Sequence, residues 1–403
     1  MKEVKIGVLR EGKTPPDKRV PLLPHQCREV MDKWPNVQVF VQPSDIRCVH
    51  NREYTSEGIP LKEDLSDCDI LLGVKEVPMH LLIPGKTYLF FSHTLKKQPQ
   101  NQKLLQTVLQ QDIRLIDYEC LTEKGGNRII AFGRFAGIVG AYNAFLLYGK
   151  RFQLFDLDRA FQCGELAELY EEMEKIKLPP IKIILTGSGR VSKGSEEVLS
   201  ALNIRKVSVQ EYLEKEFDEA VYVQLSSADY YEKKDGKPFD RKDFHQHPQN
   251  YQSSFKKFLD KTDMLIAGAY WDPAAPVLFT KEDMKDPGFR IKVIADITCD
   301  IDGSIPSTIK SCSILEPAYD YNPETGLMEA PFSDDNNVTV MAVDNLPGEL
   351  PRDASKEFGN QLINNVLPLL LGEDKDQTIA RGTIADHGKL TPGFSYLSDY
   401  AGL

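Results

Sequence analysis

Short apolar runs alternate with helix-patterned stretches along this chain almost from its first residues. "VKIGVLRE" (4–11) reads as a strand, "LPHQCREVMDKW" (23–34) as a helix and "VQVFVQP" (37–43) as a strand. "CDILLGVKEV" (68–77) and "TYLFFSH" (87–93) are two more strands, "NQKLLQTVLQQ" (101–111) has helical period, and "IRLIDYE" (113–119) is again a strand. Strands that are apolar throughout belong to sheets buried on both faces, and in alternation with helices such strands run parallel. The predicted fold class is therefore α/β, with mostly parallel sheets covered by helices.

A long helix is predicted over "GRFAGIVGAYNAFLLYGKR" (133–151). The acidic stretch after it, "FQLFDLDRAFQCGELAELYEEMEKIKLPP", ends at Pro179-Pro180 and reads as a link between domains. A second alternating series begins at "IKIILTGSGR" (181–190) and continues to about residue 300. After "VTVMAVDNLPGELP" (338–351), "RDASKEFGNQLINNVLPLLL" reads as a terminal helix returning to the first domain, because chain ends often lie close together. A chain of 403 residues exceeds one ordinary core, so two domains are expected. Their predicted limits are 1–137 with 352–403, and 138–351. "HGKLTPGFSYLSDYAGL" at the end carries no legible function.

Net charge is −11, with no arginine- or lysine-rich run, which argues against a nucleic-acid partner. In so acidic a chain, any cluster of arginine and lysine stands out as a site for anionic groups. The start "MKEVKIGVLREGK" lacks the apolar core of a signal peptide, and no apolar run reaches membrane-spanning length. The seven cysteines (27, 48, 68, 120, 163, 299, 312) form no C-x-x-C pair, so neither disulfides nor a metal site is expected. A reduced, cytoplasmic protein without membrane partners is the resulting expectation.

"IKIILTGSGRVSKGSEEVL" places an apolar strand, a glycine turn and a helix in the order that a dinucleotide site requires. Gly187 permits the tight turn, and Gly189 lets the backbone approach a pyrophosphate held at the helix N-terminus. The third glycine position holds Ser192, small enough for close helix–strand packing. The carboxylate that would bind a ribose 2′-hydroxyl is expected at the tip of the next strand, where Gln210 and then Glu211 follow "RKVSV". Gln210 does not repel a 2′-phosphate, and Arg190 or Arg205 offers a cation for one; Glu211 favours NAD instead. The cofactor reading is NAD(P)H, leaning to NADPH.

Titratable groups stand at the ends of several predicted parallel strands of the first domain, where open α/β sheets bind ligands. They are Arg10, Glu11 and Arg19, then Lys75 and Glu76, then His93 and Lys96, and finally Asp117 and Glu119. A lysine and a histidine leaving one sheet edge together make a workable acid–base pair. Burial and cationic neighbours lower a lysine pKa toward neutrality, where histidine as a residue type already titrates.

With "VFVQPSDIRCVHNREY", "LLGVKEVP", "YLFFSHTLKKQPQN", "IIAFGRFAGIVGA", "TGSGRVSKGS", "FDRKDFHQHPQNYQSSF", "AGAYWD", "DITCDIDGSI" and "VDNLPGELPRDAS", the chain resembles the lysine-forming saccharopine dehydrogenases over nearly its whole length. It is most similar to the lysine–2-oxoglutarate reductase half of the bifunctional lysine-degrading enzyme; alanine dehydrogenase and the transhydrogenase α-type domain are more distant. The resemblance implies two Rossmann-like domains with the ligand cleft between them, and reductive condensation of lysine with 2-oxoglutarate to saccharopine, or its reverse. It implies that Lys75 and His93 are the acid–base pair, with Glu76 and Glu119 modulating them. Arg19 and Lys96 would handle substrate carboxylates, with Arg128 and Phe135 completing the substrate site and Gly137 beside Phe135 at a hinge. Gly187, Ser188, Gly189, Arg190 and Val191 would cradle the cofactor, and Asp344 would approach its nicotinamide side.

There are departures. The glutamate-forming half of the bifunctional enzyme is expected to be absent, and the spacing in "REGKTPPDKR" leaves Lys13 without a clear counterpart. Two other readings stay open: a dehydrogenase of smaller amino acids, like alanine dehydrogenase, and a non-catalytic binding protein of the same fold. The oligomeric expectation is monomer or homodimer.

Overall fold

The computed structural model describes residues 3–403. In chain order the strands of the first sheet are β1 (Val4–Val8), β2 (Val37–Val41), β3 (Ile70–Leu72), β4 (Thr87–Phe90) and β5 (Arg114–Asp117). The second sheet and a small hairpin follow with β6 (Lys182–Thr186), β7 (Arg205–Lys206), β8 (Val221–Leu225), β9 (Tyr231–Lys233), β10 (Tyr251–Ser253) and β11 (Met264–Ala267). Then come β12 (Val293–Asp296), β13 (Ala318–Tyr321), β14 (Met328–Glu329) and β15 (Val338–Met341), and the chain closes with β16 (Thr383–Asp386) and β17 (Lys389–Leu390). Two compact units result: one runs up to Phe132 and resumes over Pro351–Leu403, and the other is Gly133–Leu350.

The first unit is a seven-stranded sheet in the order β17-β16-β5-β4-β3-β1-β2, parallel from β5 to β2. Its central strands β3, β4 and β5 feed two cores. Ile70, Leu72, Leu89 and Ile116 point into one. Leu71, Tyr88, Phe90 and Leu115, the alternating residues, point into the other. Helix Pro351–Gln361 continues through a wider π turn, Leu362–Val366, just ahead of Pro368, whose missing N–H breaks the ordinary ladder. Phe358, Leu362, Ile363 and Val366 join the first core. The tail without a legible function is structural: Phe394, Leu397, Tyr400 and Ala401 close the second core.

The second unit opens with the helix Gly133–Phe152, buried along most of its length. Its eight-stranded sheet runs β14-β13-β15-β12-β11-β6-β8-β7, parallel except for β13 and β14. β8 pairs with β6, and β7 lies beyond it on the edge. The strand that follows the glycine-turn helix in the chain, β7, is therefore not the one paired with β6. The two-residue β7 is exposed and β8 is almost wholly buried, so the apolar strand takes the inner place.

Other expectations are corrected in the same way. The acidic stretch before Pro179 forms two short helices, Ala160–Cys163 and Leu166–Met173, inside the second unit and links no domains. The division falls between residues 132 and 133, so Phe135 and Gly137 belong to the second unit. Within that unit Gly137 is a crossing point of two helices. A Cβ there would lie 1.8 Å from the Val191 carbonyl oxygen, and one on Gly194 would lie 2.0 Å from that of Arg134. The long helix and helix Arg190–Ala201 thus touch backbone to backbone, held further by Ser195 Oγ donating to the Gly137 carbonyl at 3.1 Å.

Gly137→Ala forces those two helices apart, and overpacking of this kind costs on the order of 2 kcal/mol or more. Urea unfolding is expected to register that loss. Gly189→Ala, at a position with nothing within 4 Å of the added carbon, should leave stability within about 0.5 kcal/mol.

Candidate active site

In a parallel sheet all strands end on one edge, and the first unit gathers its titratable groups there. β1 ends at Val8, and three residues later the half-buried Glu11 turns its carboxylate onto the loop that follows β3. Its Oε1 accepts from the Val74 N–H at 2.7 Å and its Oε2 from the Lys75 N–H at 2.8 Å. β3 and β4 stop at Leu72 and Phe90, shorter than the predicted strands, so Lys75 and His93 both lie three residues into loops. His93 adopts the left-handed conformation, φ 51°, which turns its ring out of the strand direction. Ser92 beside it donates from its N–H, at 2.9 Å, and from its hydroxyl to the buried Asp117 at the end of β5. Asp117 also accepts from the Glu119 N–H at 2.7 Å, so one buried carboxylate ties the His93 loop to the Glu119 loop.

The side chains converge in part. His93 Nδ1 lies 2.6 Å from Glu76 Oε1, and its ring stacks on Phe91. Lys13 Nζ sits 3.0 Å from Glu76 Oε2, which brings back a residue whose sequence spacing had left it out. Burial alone would raise the Glu76 carboxyl, but the hydrogen bond and charge of His93, with Lys13, hold it down at about 2. Lys75 is half-buried, and its ammonium pKa is lowered by desolvation first and then by the Arg19 guanidinium, against the opposing pull of Asp17. Arg19 itself is 3% exposed. It lies over the Phe132 ring at 4.2 Å, and its Nε and Nη2 donate to the two Asp17 oxygens at 3.0 and 2.6 Å. Burial opposes the Asp17 charge, yet Arg19 keeps that carboxyl well below its ordinary range.

This corrects the expectation for Arg19 in one respect: the forked edge that would grip a substrate carboxylate is filled by Asp17. Arg128 likewise pairs with Glu119. Lys96, by contrast, is exposed. Its loop is braced from the tail, where the Tyr400 hydroxyl donates to the Gln98 carbonyl and the Tyr396 hydroxyl to the Leu95 carbonyl at 3.5 Å. Nothing in the composition of the tail signalled that contact.

In the second unit, Gly187 has φ +90° and a Cβ there would stand 2.8 Å from Ser192 Oγ, which in turn donates to the Thr186 carbonyl at 2.9 Å. Ser188, Gly189 and Arg190 are exposed, Val191 is half-buried, and open space surrounds Gly189 at the start of helix Arg190–Ala201. An unobstructed glycine at a helix N-terminus fits a pyrophosphate. The ribose-reading pair does not hold its expected place. The strand ends at Lys206, and both residues lie on helix Val209–Glu214. Glu211 closes a capping box with Ser208, and Gln210 donates to Glu214 one turn on. Phe135 is buried in the long helix and Asp344 is exposed in the loop after β15. All seven cysteines are free, and no cluster of metal-ligating side chains exists among the described residues. No helix among them is long and apolar enough to cross a membrane.

Comparison with known proteins agrees with this architecture. Residues 7–139 match the alanine dehydrogenase/PNT N-terminal domain. The chain is 29% identical to the alpha-aminoadipic semialdehyde synthase of Arabidopsis thaliana and 30% identical to the mitochondrial one of Mus musculus, over 97% of its own length in each case. It spans 41% and 47% of those proteins, less than half of either. It is also 25% identical to a saccharopine dehydrogenase (NAD(+), L-lysine-forming) of Emericella nidulans, across 93% of both chains. An L-alanine dehydrogenase structure shares the fold, with a TM-score of 0.65 and 16% identity over 98% of this chain and 99% of that one. The relatives are oxidoreductases of amino acid metabolism, as the motifs implied.

The buried Glu11 carboxyl is pushed up to about 7 by desolvation, against the two N–H groups it accepts from. Unfolded, it loses its proton near 4.5; folded, it keeps it to about 7, so stability declines as pH rises through that window. The loss is on the order of 3 kcal/mol. Denaturant unfolding at pH 5 and pH 7 should show it, and Glu11→Gln should remove that slope.

Proposed function

We propose that this relative of the lysine-forming saccharopine dehydrogenases condenses the ε-amine of L-lysine with 2-oxoglutarate and reduces the imine to saccharopine, or runs the reverse. The observation that carries the reading is the pairing of Glu76 with His93, beside a half-buried Lys75 of lowered pKa. A lysine poised toward its neutral form accepts the proton that the substrate ammonium must lose before it attacks the keto carbon. His93, with Glu76 on Nδ1, would present its other ring nitrogen to the carbinolamine oxygen and protonate it so that it leaves as water. When bound, the reduced nicotinamide supplies the hydride that saturates the imine carbon.

The remaining groups act by charge. Arg19 pushes Lys75 toward neutrality, and Asp17 limits that push. Lys96, exposed on a braced loop, would meet a substrate carboxylate. Glu119 would face the cationic amine of lysine, with Arg128 holding its position. Of the cations at this edge, Lys13, Arg19 and Arg128 are paired with Glu76, Asp17 and Glu119, which leaves Lys96 to meet a carboxylate of 2-oxoglutarate or lysine.

The filled edge of Arg19 favours a second reading as well. With that edge occupied, a substrate carrying a single carboxylate, as in an alanine-type dehydrogenation, needs only Lys96.

Absorbance of NADPH or NADH at neutral pH separates the two. Oxidation that requires both lysine and 2-oxoglutarate, and that falls about 10²–10⁴-fold in Lys75→Met or His93→Gln, is the expected result. Oxidation with pyruvate and ammonium alone would sink the lysine reading, and silence in every mixture would sink both.

A further inference from the structure

Residues 91–98, between β4 and the short turn Pro99–Asn101, form neither helix nor strand, and Lys96 is among them. Two of these residues, His93 and Lys97, take the left-handed conformation, φ 51° and 53°. Residues with a Cβ adopt it rarely, and keep it where surrounding contacts fix the backbone. Within the loop, the Lys97 N–H donates to the Thr94 carbonyl at 3.0 Å, and the Asn101 side-chain amide to the His93 carbonyl at 3.3 Å.

Further contacts come from the end of the chain, where the turn Pro392–Leu397 leads into the short helix Ser398–Ala401. The Leu95 side chain packs on the core that Phe394, Leu397 and Tyr400 close. The Leu95 carbonyl accepts from the Tyr396 hydroxyl at 3.5 Å, and the Gln98 carbonyl accepts from the Tyr400 hydroxyl. Lys97 Nζ stands 5.7 Å from the centre of the Tyr396 ring, and Gln102 Nε2 donates to the Tyr400 carbonyl at 2.9 Å. Lys96 is thus an exposed residue on a segment held from both sides by the tail.

Packing requires neither hydroxyl. Tyr400 is 8% exposed, and a phenylalanine would fill the same space in the core. The Gln98 carbonyl already accepts from the Asn101 N–H at 3.0 Å, so it has a partner without Tyr400. Tyr396 is half-exposed, where water would satisfy its hydroxyl equally well. Burial first, and then the charges of Cys120, Asp117 and Glu119, raise its pKa, so it stays a donor. What the two hydroxyls add is a fixed backbone on either side of Lys96. A lysine ammonium is a point charge on a flexible stem, and holding it against a carboxylate costs side-chain ordering. That cost grows when the backbone beneath has to be ordered at the same time.

We propose that Tyr396 and Tyr400 are positioning residues that hold Lys96 where it meets a substrate carboxylate, so that the C-terminal tail sets the affinity for that substrate. The proposal rests on the proposed function, in which Lys96 takes such a carboxylate, and deepens it. Both tyrosines act through Lys96.

A double-mutant cycle tests this in the assay with lysine, 2-oxoglutarate and reduced nicotinamide. Lys96→Met identifies, by its raised KM, the substrate whose carboxylate Lys96 meets. Tyr396→Phe combined with Tyr400→Phe keeps both rings; it should raise the same KM about five- to tenfold, leaving kcat and the other substrate's KM within about twofold. In the Lys96→Met background the two tyrosine changes should add less than about twofold, because no ammonium is left to position. Equal effects in both backgrounds, a loss of kcat with every KM unchanged, or no effect at all would overturn the proposal. Should the combined variant lose its fold, Tyr396→Phe alone is read in the same way, with a rise of about threefold expected. If only pyruvate and ammonium support oxidation, the lysine reading falls and the cycle is read on the KM of pyruvate. If no mixture is turned over, the proposed function falls, and calorimetric binding of glutarate, a plain dicarboxylate, takes the place of KM. Losses that simply add across that cycle, or no binding, would then sink the tail proposal as well.

Discussion

Parallel pairing of β5, β4, β3, β1 and β2 delivers the loops after those strands to a single sheet edge, and the candidate chemistry depends on it. Antiparallel strands would have scattered Lys75, His93 and Glu119 over both ends. Parallel order alone does not hold a side chain in place, however. Two carboxylates, of half-buried Glu11 and buried Asp117, do that. Glu11 fastens the Lys75 loop by two backbone N–H groups, and Asp117 fastens the His93 and Glu119 loops together. Both are raised in pKa by desolvation, the cost of putting an acceptor where only the backbone can satisfy it.

Glycine serves three purposes in the second unit. At Gly187 the need is conformational, φ +90° in a turn. At Gly189 it is clearance for whatever approaches a helix N-terminus. At Gly137 and Gly194 it is contact, two helix backbones meeting where any Cβ would strike a carbonyl. The same residue type therefore marks a turn, a ligand approach and a packing crossing, and a linear motif does not separate these uses.

Most of the fold was legible because it rests on local pattern. Continuous apolar runs bounded by turns identified the parallel strands, and "LTGSGR" followed by helix period identified the glycine turn. The site was legible in its residue types: Lys75, Glu76 and His93 stand out at strand ends. Their pairing was not. That Glu76 reaches His93, that Asp17 fills the Arg19 fork and that Tyr396 and Tyr400 brace the Lys96 loop are contacts between residues from 2 to more than 300 positions apart, set by side-chain direction. Lys13 was lost for the same reason, since spacing along a proline-rich loop does not report where an amine ends up.

Strand order marks the boundary most clearly. The sequence by itself placed a strand at "RKVSV" after the glycine-turn helix, of which only Arg205–Lys206 forms, and a second at "AVYVQLSS". Which of the two lies beside β6 is decided by burial across the whole sheet. A two-residue exposed strand satisfies few ladder bonds and covers no core, whereas β8 buries Val221, Val223 and Leu225 on one face and Tyr222 on the other, so β8 goes inside. The alternation read at the sequence level determines that a parallel sheet edge meets a glycine turn. Only tertiary packing decides which side chains stand on it.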